Sequence, residues 1–292
     1  MKNYWAFILF VFLAGCNESG SDMTEKKALV RVELHKSIQE TLDGSPIEFS
    51  KECMAGLNLC WYKINKSAND VNLPGVVVKS SKGTLDLKNA TDITIVVDDR
   101  VGNSVENIDV VLRGLPDNSS HEKNRDFIYL LINDIKLSGW HHYFSPSSPR
   151  ISGSQADKID TPETILGHFT LSHPWLDPDY KVDIARWLKI SLYSWYFYND
   201  GAYLHLSAWR RDSKDDPKET GTYLISLEFM TEREYWVAGF SEDADKARWK
   251  ELLPARLKNY QEARQLAEDK ARAAGIEIDE TYKDPPIQAL SR

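Results

Sequence analysis

The hydrophobic pattern divides the chain into a strand-rich first part, one helix, a polar break and a mixed second part. Over residues 28–34 apolar and polar side chains alternate, the period-two signature of a half-buried strand. Residues 61–64, 76–79, 84–87, 93–97 and 109–112 are short β-branched or aromatic runs separated by Gly, Asn and Asp, and they predict further strands. Over 121–137 the period changes. Phe127, Leu130, Leu131, Ile135 and Leu137 fall mostly three or four apart, which predicts a helix, with Ser119 or Ser120 placed to cap it. Ser, Pro and Gly then dominate residues 145–155. A linker over 145–160 is predicted, with an ordered loop inside one continuous domain as the other reading.

In the second part, residues 180–190 predict a helix and 191–198, 202–209, 222–229 and 234–240 predict a meander of strands. Asn199-Asp200-Gly201 joins the first two strands; these residues tolerate positive φ, as a tight hairpin requires. Trp249, Leu253, Leu257, Tyr260, Ala263, Ala267 and Ala271 form one stripe on a charged terminal helix. Pro254 should kink or break that helix near its start, and Gly275 should stop it. The fold class is α+β: antiparallel sheets with flanking helices, in two subdomains and a C-terminal helix. The expected units are 28–144, the linker 145–160, 161–275 and a loose tail 276–292.

The chain opens with Lys2 and an apolar stretch from Tyr4 to Leu13, too short to span a bilayer, which takes roughly 20 residues. A basic start, a short apolar core and small residues after it describe a secretory signal peptide. Leu13-Ala14-Gly15-Cys16 resembles the lipobox of bacterial lipoproteins. The resemblance covers the targeting segment alone and implies cleavage after residue 15 and acylation of Cys16. Asn17, rather than Asp, then implies sorting to the outer membrane, facing the periplasm. Residues 16–27 are polar and predict a flexible tether. With Cys16 lipidated, Cys53 and Cys60 remain, and outside the cytoplasm such a pair tends to be oxidised. Gly56 and Asn58 suit the short reversal between them.

The net charge of −8 argues against nucleic acid as a partner, since that affinity draws on Lys and Arg against phosphates. The chain lacks a Gly-x-Ser-x-Gly elbow, a His-Glu-x-x-His helix, a Walker loop and a Gly-x-Gly-x-x-Gly turn. The expectation is a non-enzyme with no cofactor and no metal. Trp140-His141-His142-Tyr143 with His168 and His173 offers imidazoles, but adjacent residues on a strand point to opposite sides, and loop packing accounts for them. Asp177 and Asp179 beside His173 could serve acid–base chemistry, but cap the following helix more simply.

The aromatic run is the most unusual feature. Tyr193, Trp195 and Phe197 share one strand face, Tyr196 and Tyr198 the other. One face is expected in the core. The other, with Tyr203 and Trp209 and the acidic loop at Asp215 and Asp216, is the candidate partner-binding surface; ordinary cross-strand packing is the plainer alternative. A membrane anchor, an acidic body and aromatic strands together resemble the outer-membrane immunity lipoproteins paired with type VI secretion phospholipase effectors. That resemblance implies a protein that binds and neutralises a secreted toxin of phospholipase type. A structural or assembly lipoprotein of a secretion or envelope complex is the alternative, and a hydrolase using His168 or His173 is a third reading.

Overall fold

The computed structural model describes residues 27–291, so Cys16, the lipobox and most of the expected tether lie outside the described residues. The chain begins with β1 (Leu29–Glu33), α1 (Ile38–Gly44) and the hairpin β2 (Ser50–Met54) and β3 (Leu59–Asn65). Cys53 and Cys60 face each other across this hairpin and are disulfide-bonded. Then follow β4 (Gly75–Ser80), β5 (Gly83–Leu87), β6 (Ala90–Asp98), β7 (Asn107–Leu112) and the two-residue β8 (Ser119–Ser120). The helix α2 (His121–Leu137) has the predicted bounds, and the Ser120 side chain accepts from the Lys123 N–H at its first turn.

Past the short strands β9 (His141–His142), β10 (Thr164–Ile165) and β11 (His168–Phe169), the predicted helix over 180–190 shrinks to α3 (Ile184–Trp187). Asp183 caps it by accepting from the Arg186 N–H at 2.9 Å, so the chain cannot become helical earlier. Next come β12 (Leu192–Asn199), β13 (Ala202–Asp212) and β14 (Thr220–Thr231). The predicted hairpin is present, with φ of 45° at Asp200 and 87° at Gly201. Residues 234–240 are not a strand. Thr231 ends β14 and its hydroxyl accepts from the Glu234 N–H, which starts α4 (Glu232–Val237), with Glu232 and Glu234 favourable in the first turn. After α5 (Asp243–Ala247) comes α6 (Trp249–Ala273), which continues through Pro254 rather than breaking; Gly275 with φ of 75° follows its end.

Nine strands form one antiparallel sheet in the order β2-β3-β6-β7-β14-β13-β12-β9, with β8 beside β14. Strands from both expected domains thus share one sheet, joined where β7 pairs with β14. One face is a closed core. The rung Trp195, Leu206, Leu227, Val110, Ile93 and Ile64 runs across six strands in register, and all six are buried. The small sheet β1-β4-β5 and the inner side of α2 contribute to that core through Val30, Val78, Leu85, Ile128 and Ile132.

The predicted linker is part of the body. Ser145, Ser148, Ile151 and Ala156 are buried, and the Arg264 guanidinium of α6 donates to the Ser145 and Ser148 carbonyls at 2.9 and 3.0 Å. A Ser- and Pro-rich segment can be buried only if its backbone groups find partners, and a side chain remote in sequence supplies them here. Gly153 is required by the packing, since a Cβ there would lie 2.0 Å from the Tyr180 Cβ. The expected loose tail is also docked: Ile276 is buried, and the Glu232 carboxylate accepts from the N–H groups of Gln288 and Ala289 at 2.8 and 2.7 Å.

Candidate functional site

The second face of the large sheet is only half covered. Its side chains form rungs, because residues directly opposed in register point the same way. Tyr198, Tyr203 and Met230 make one rung and lie under α4 and α6, packed with Trp236, Trp249 and Leu253. The next rung is Tyr196, His205, Glu228, Asp109 and Thr94. Ser194, Ser207 and Ser226 follow, with the last two hydroxyls 2.8 Å apart. The last rung is Leu192, Trp209 and Leu224, exposed at 60%, 52% and 51%. The face therefore grades from a covered aromatic end, through titratable and hydroxyl rungs, to an open apolar end.

The electrostatics centre on the second rung. Burial pushes the Asp109 carboxyl up to about 7, and the neighbouring carboxylates Glu228 and Asp92 add to this. The His205 ring holds Glu228 below the usual glutamate range, against its partial burial, and the Asn107 amide assists by donating at 3.0 Å. His205 stacks on Tyr196 with ring centroids 4.6 Å apart and planes 5° from parallel. Its Nδ1 lies 3.9 Å from a Glu228 oxygen.

No family model, no curated protein and no solved structure matches this chain. The reading of the site therefore rests on its own geometry.

The aromatic residues singled out in the sequence separate into three environments. Trp209 is open to solvent, whereas Tyr196 and Tyr198 are half-buried, the latter with its hydroxyl 3.4 Å from the Pro286 carbonyl. Tyr203 is not available to a partner. It is 1% exposed, stacked on Tyr235 at 3.8 Å, and its hydroxyl accepts from the Trp236 indole at 3.2 Å. Asp215 and Asp216 are exposed in the loop between β13 and β14, away from the covered end of the face. Tyr193, Trp195 and Phe197 lie in the core, as alternation requires. Asp109, Glu228, His205, Leu192 and Leu224 are not marked by any motif; their common face becomes visible only once strand pairing is known.

The histidines do not converge. His168 pairs with Lys270, and the His173 Nδ1 accepts from the Trp175 N–H at 3.2 Å. Instead His142 meets Asp177 and Asp179, with candidate ligand atoms within 4.8 Å of one another. Asp177 is already engaged: it accepts from the N–H groups of Gly153 at 2.6 Å and Asp179 at 2.8 Å, while Asp179 pairs with Lys136. This cluster ties the 145–160 segment to α2, a structural use of those groups. A cleft of about 840 Å³ beside the β12–β13 turn is lined by Arg100, Arg233 and Lys246, among others. These three cations are matched internally, the two arginines by Asp98 and Lys246 by Asp243, while the Lys250 ammonium, also in the lining, lies over the Trp249 ring.

Proposed function

We propose that this chain is a membrane-anchored periplasmic lipoprotein that binds and neutralises a toxin or effector, docking it on the half-open face of the large sheet. The observation that carries the reading is the exposed rung Leu192–Trp209–Leu224, three large apolar side chains in direct register at the rim of a polar face. Contiguous exposed apolar surface is costly in solution and marks interaction sites. Trp is also the residue type most enriched among side chains that dominate binding energy. The acidic loop at Asp215 and Asp216 and the net charge of −8 favour a basic partner and a fast encounter. The lipobox-like N-terminus supports tethering at the membrane that a phospholipase-type toxin attacks.

The test is capture of the tagged full chain from its host in mild detergent, compared with Trp209→Ala. Trp209→Ala is expected to leave folding stability within about 0.5 kcal/mol, as surface substitutions do. Partner affinity should fall by about 2 kcal/mol or more, the scale of a hot-spot residue. A secreted toxin as the stoichiometric partner, lost from the variant, supports the reading, as does sensitisation of cells when the gene is deleted. Recovery of envelope machinery, held equally by both chains, points to an assembly lipoprotein and overturns it.

A further inference from the structure

We infer that the rung formed by Asp109 and Glu228, with Asn107 and His205 beside it, is a pocket for an arginine side chain of the docked protein partner; this rests on the docking role proposed above. Asp109 and Glu228 are direct register partners on β7 and β14, an arrangement of like charges that destabilises a sheet unless a cation answers it. On the Glu228 side the His205 ring can answer, with its Nδ1 3.9 Å away, but among the described residues no cation pairs with the Asp109 carboxyl. The Asp109 carboxyl has neither a hydrogen bond nor an ion pair to another described residue, although its backbone is paired in the sheet. Lys63, two strands away beyond Thr94, is held by Glu52 at 2.8 Å.

Two independent orphan atoms lie beside the carboxyls. Asn107 is 7% exposed and gives its amide N–H to Glu228, yet its Oδ1 is buried without any partner. His205 has its Nδ1 toward Glu228 and a buried Nε2, also without a partner. With the ring proton on Nδ1, that Nε2 is an acceptor. The pocket thus gathers two carboxyls, an amide oxygen and an imidazole nitrogen, all acceptors. A guanidinium offers five N–H donors in a flat fork, and it carries the opposite charge. Glu228 keeps 38% of its side-chain surface, so the rung can be reached from solvent.

The groups around Asp109 set what binding would do to its proton. Glu228 on β14, Asp92 on β6 and Thr94 beside it surround the carboxyl; His205 on β13 and Glu234 on α4 lie beyond Glu228. Arg233 answers Glu234 and the His205 ring faces Glu228, but no cation acts on the Asp109 carboxyl, which burial pushes up to about 7. An arriving guanidinium favours the ionised form, so binding draws the Asp109 midpoint down.

The experiment follows the Asp109 carboxyl by carbon-13 NMR through a pH titration of the full chain. N-acetyl-arginine amide is the probe, N-acetyl-citrulline amide its neutral isostere, and sodium chloride matches ionic strength. The Asp109 midpoint should fall by about one unit with the arginine amide and stay unmoved with citrulline amide. Glu228→Gln should weaken that fall. Asp109→Asn should fold normally, because its native carboxyl titrates above the ordinary 3.8: the wild-type fold loses stability as pH rises from there to about 7, and the variant does not. An identical midpoint with arginine amide, citrulline amide and salt overturns the inference, and so does a fall produced by calcium chloride but not by arginine amide. If Trp209→Ala loses its toxin while arginine amide leaves Asp109 unmoved, this inference alone falls. If arginine amide moves Asp109 while Trp209→Ala keeps full affinity, the pocket stands and the docking reading falls.

Discussion

Glu268→Ala is expected to lose about 3–5 kcal/mol of stability, the cost of leaving one member of a buried ion pair uncompensated. Glu268 is 1% exposed on α6. Its carboxylate accepts from the Arg150 backbone N–H at 3.1 Å and from the guanidinium at 2.7 and 2.8 Å. Arg150 sits inside the segment predicted as a linker, and its carbonyl accepts from the Asp279 N–H at 2.7 Å. One carboxylate therefore fastens the central loop, the terminal helix and the tail. Urea unfolding at neutral pH checks the number. Glu268→Gln separates charge from shape. Burial alone would raise the Glu268 carboxyl, but the hydrogen bonds and charge of Arg150 outweigh it and hold it below its ordinary 4.5. A depressed carboxyl contributes stability above its unfolded value and loses it as pH falls through the folded one. The wild-type chain should therefore lose stability more steeply on acidification below about pH 4.5 than Glu268→Gln. Equal acid limbs would show that the pair contributes no net charge–charge stabilisation.

Trp187→Ala is the second large effect, again about 3–5 kcal/mol, the range for removing a buried large aromatic. Trp187 is fully buried, stacked on Tyr193 at 3.9 Å and near-parallel to Trp195 and Tyr223. Its indole N–H donates to the Tyr223 hydroxyl at 2.9 Å, and Tyr223 also contacts the buried His121 ring at 2.9 Å. Substitution to Ala opens a cavity and strands part of that network. Trp187→Phe should recover most of the packing but not the hydrogen bond, so its loss should be smaller than that of Trp187→Ala. Near-UV circular dichroism reads the stack, and the urea midpoint reads the energy. A loss below about 1 kcal/mol for Trp187→Ala would mean the site collapses around the missing ring.

Much of the strand framework is legible in the sequence because local chemistry fixes it. Asn199-Asp200-Gly201 makes a hairpin in any context that pairs its flanks, and the capped, periodic run over 121–137 can only be helical. The failures share a cause, namely partners distant in sequence. Residues 234–240 read as a strand from Tyr, Trp and Val, yet the Thr231 cap turns them into α4. The stripe on α6 reads as apolar through Ala263 and Ala267, whereas Arg264 and Glu268 are among its buried side chains, since the 145–160 segment and the tail pair with them. The candidate site was half legible. Alternation puts Tyr196 and Trp209 on the non-core face correctly, but it cannot say that α4 covers that face at Tyr203. Nor can it bring Asp109 beside Glu228, because register between remote strands leaves no mark in either one.

The pairing of β7 with β14 also constrains how the chain can acquire its fold. Residues 107–112 leave the ribosome long before residues 220–231, their neighbours in the sheet. Until those arrive, β7 is an unpaired edge with an apolar side, the kind of surface that aggregates or recruits chaperones. Native contacts of such long sequence separation form slowly. A chain truncated after residue 145 should therefore fail to yield a soluble folded unit, and the nascent protein should depend on a holding chaperone until its last strands are delivered.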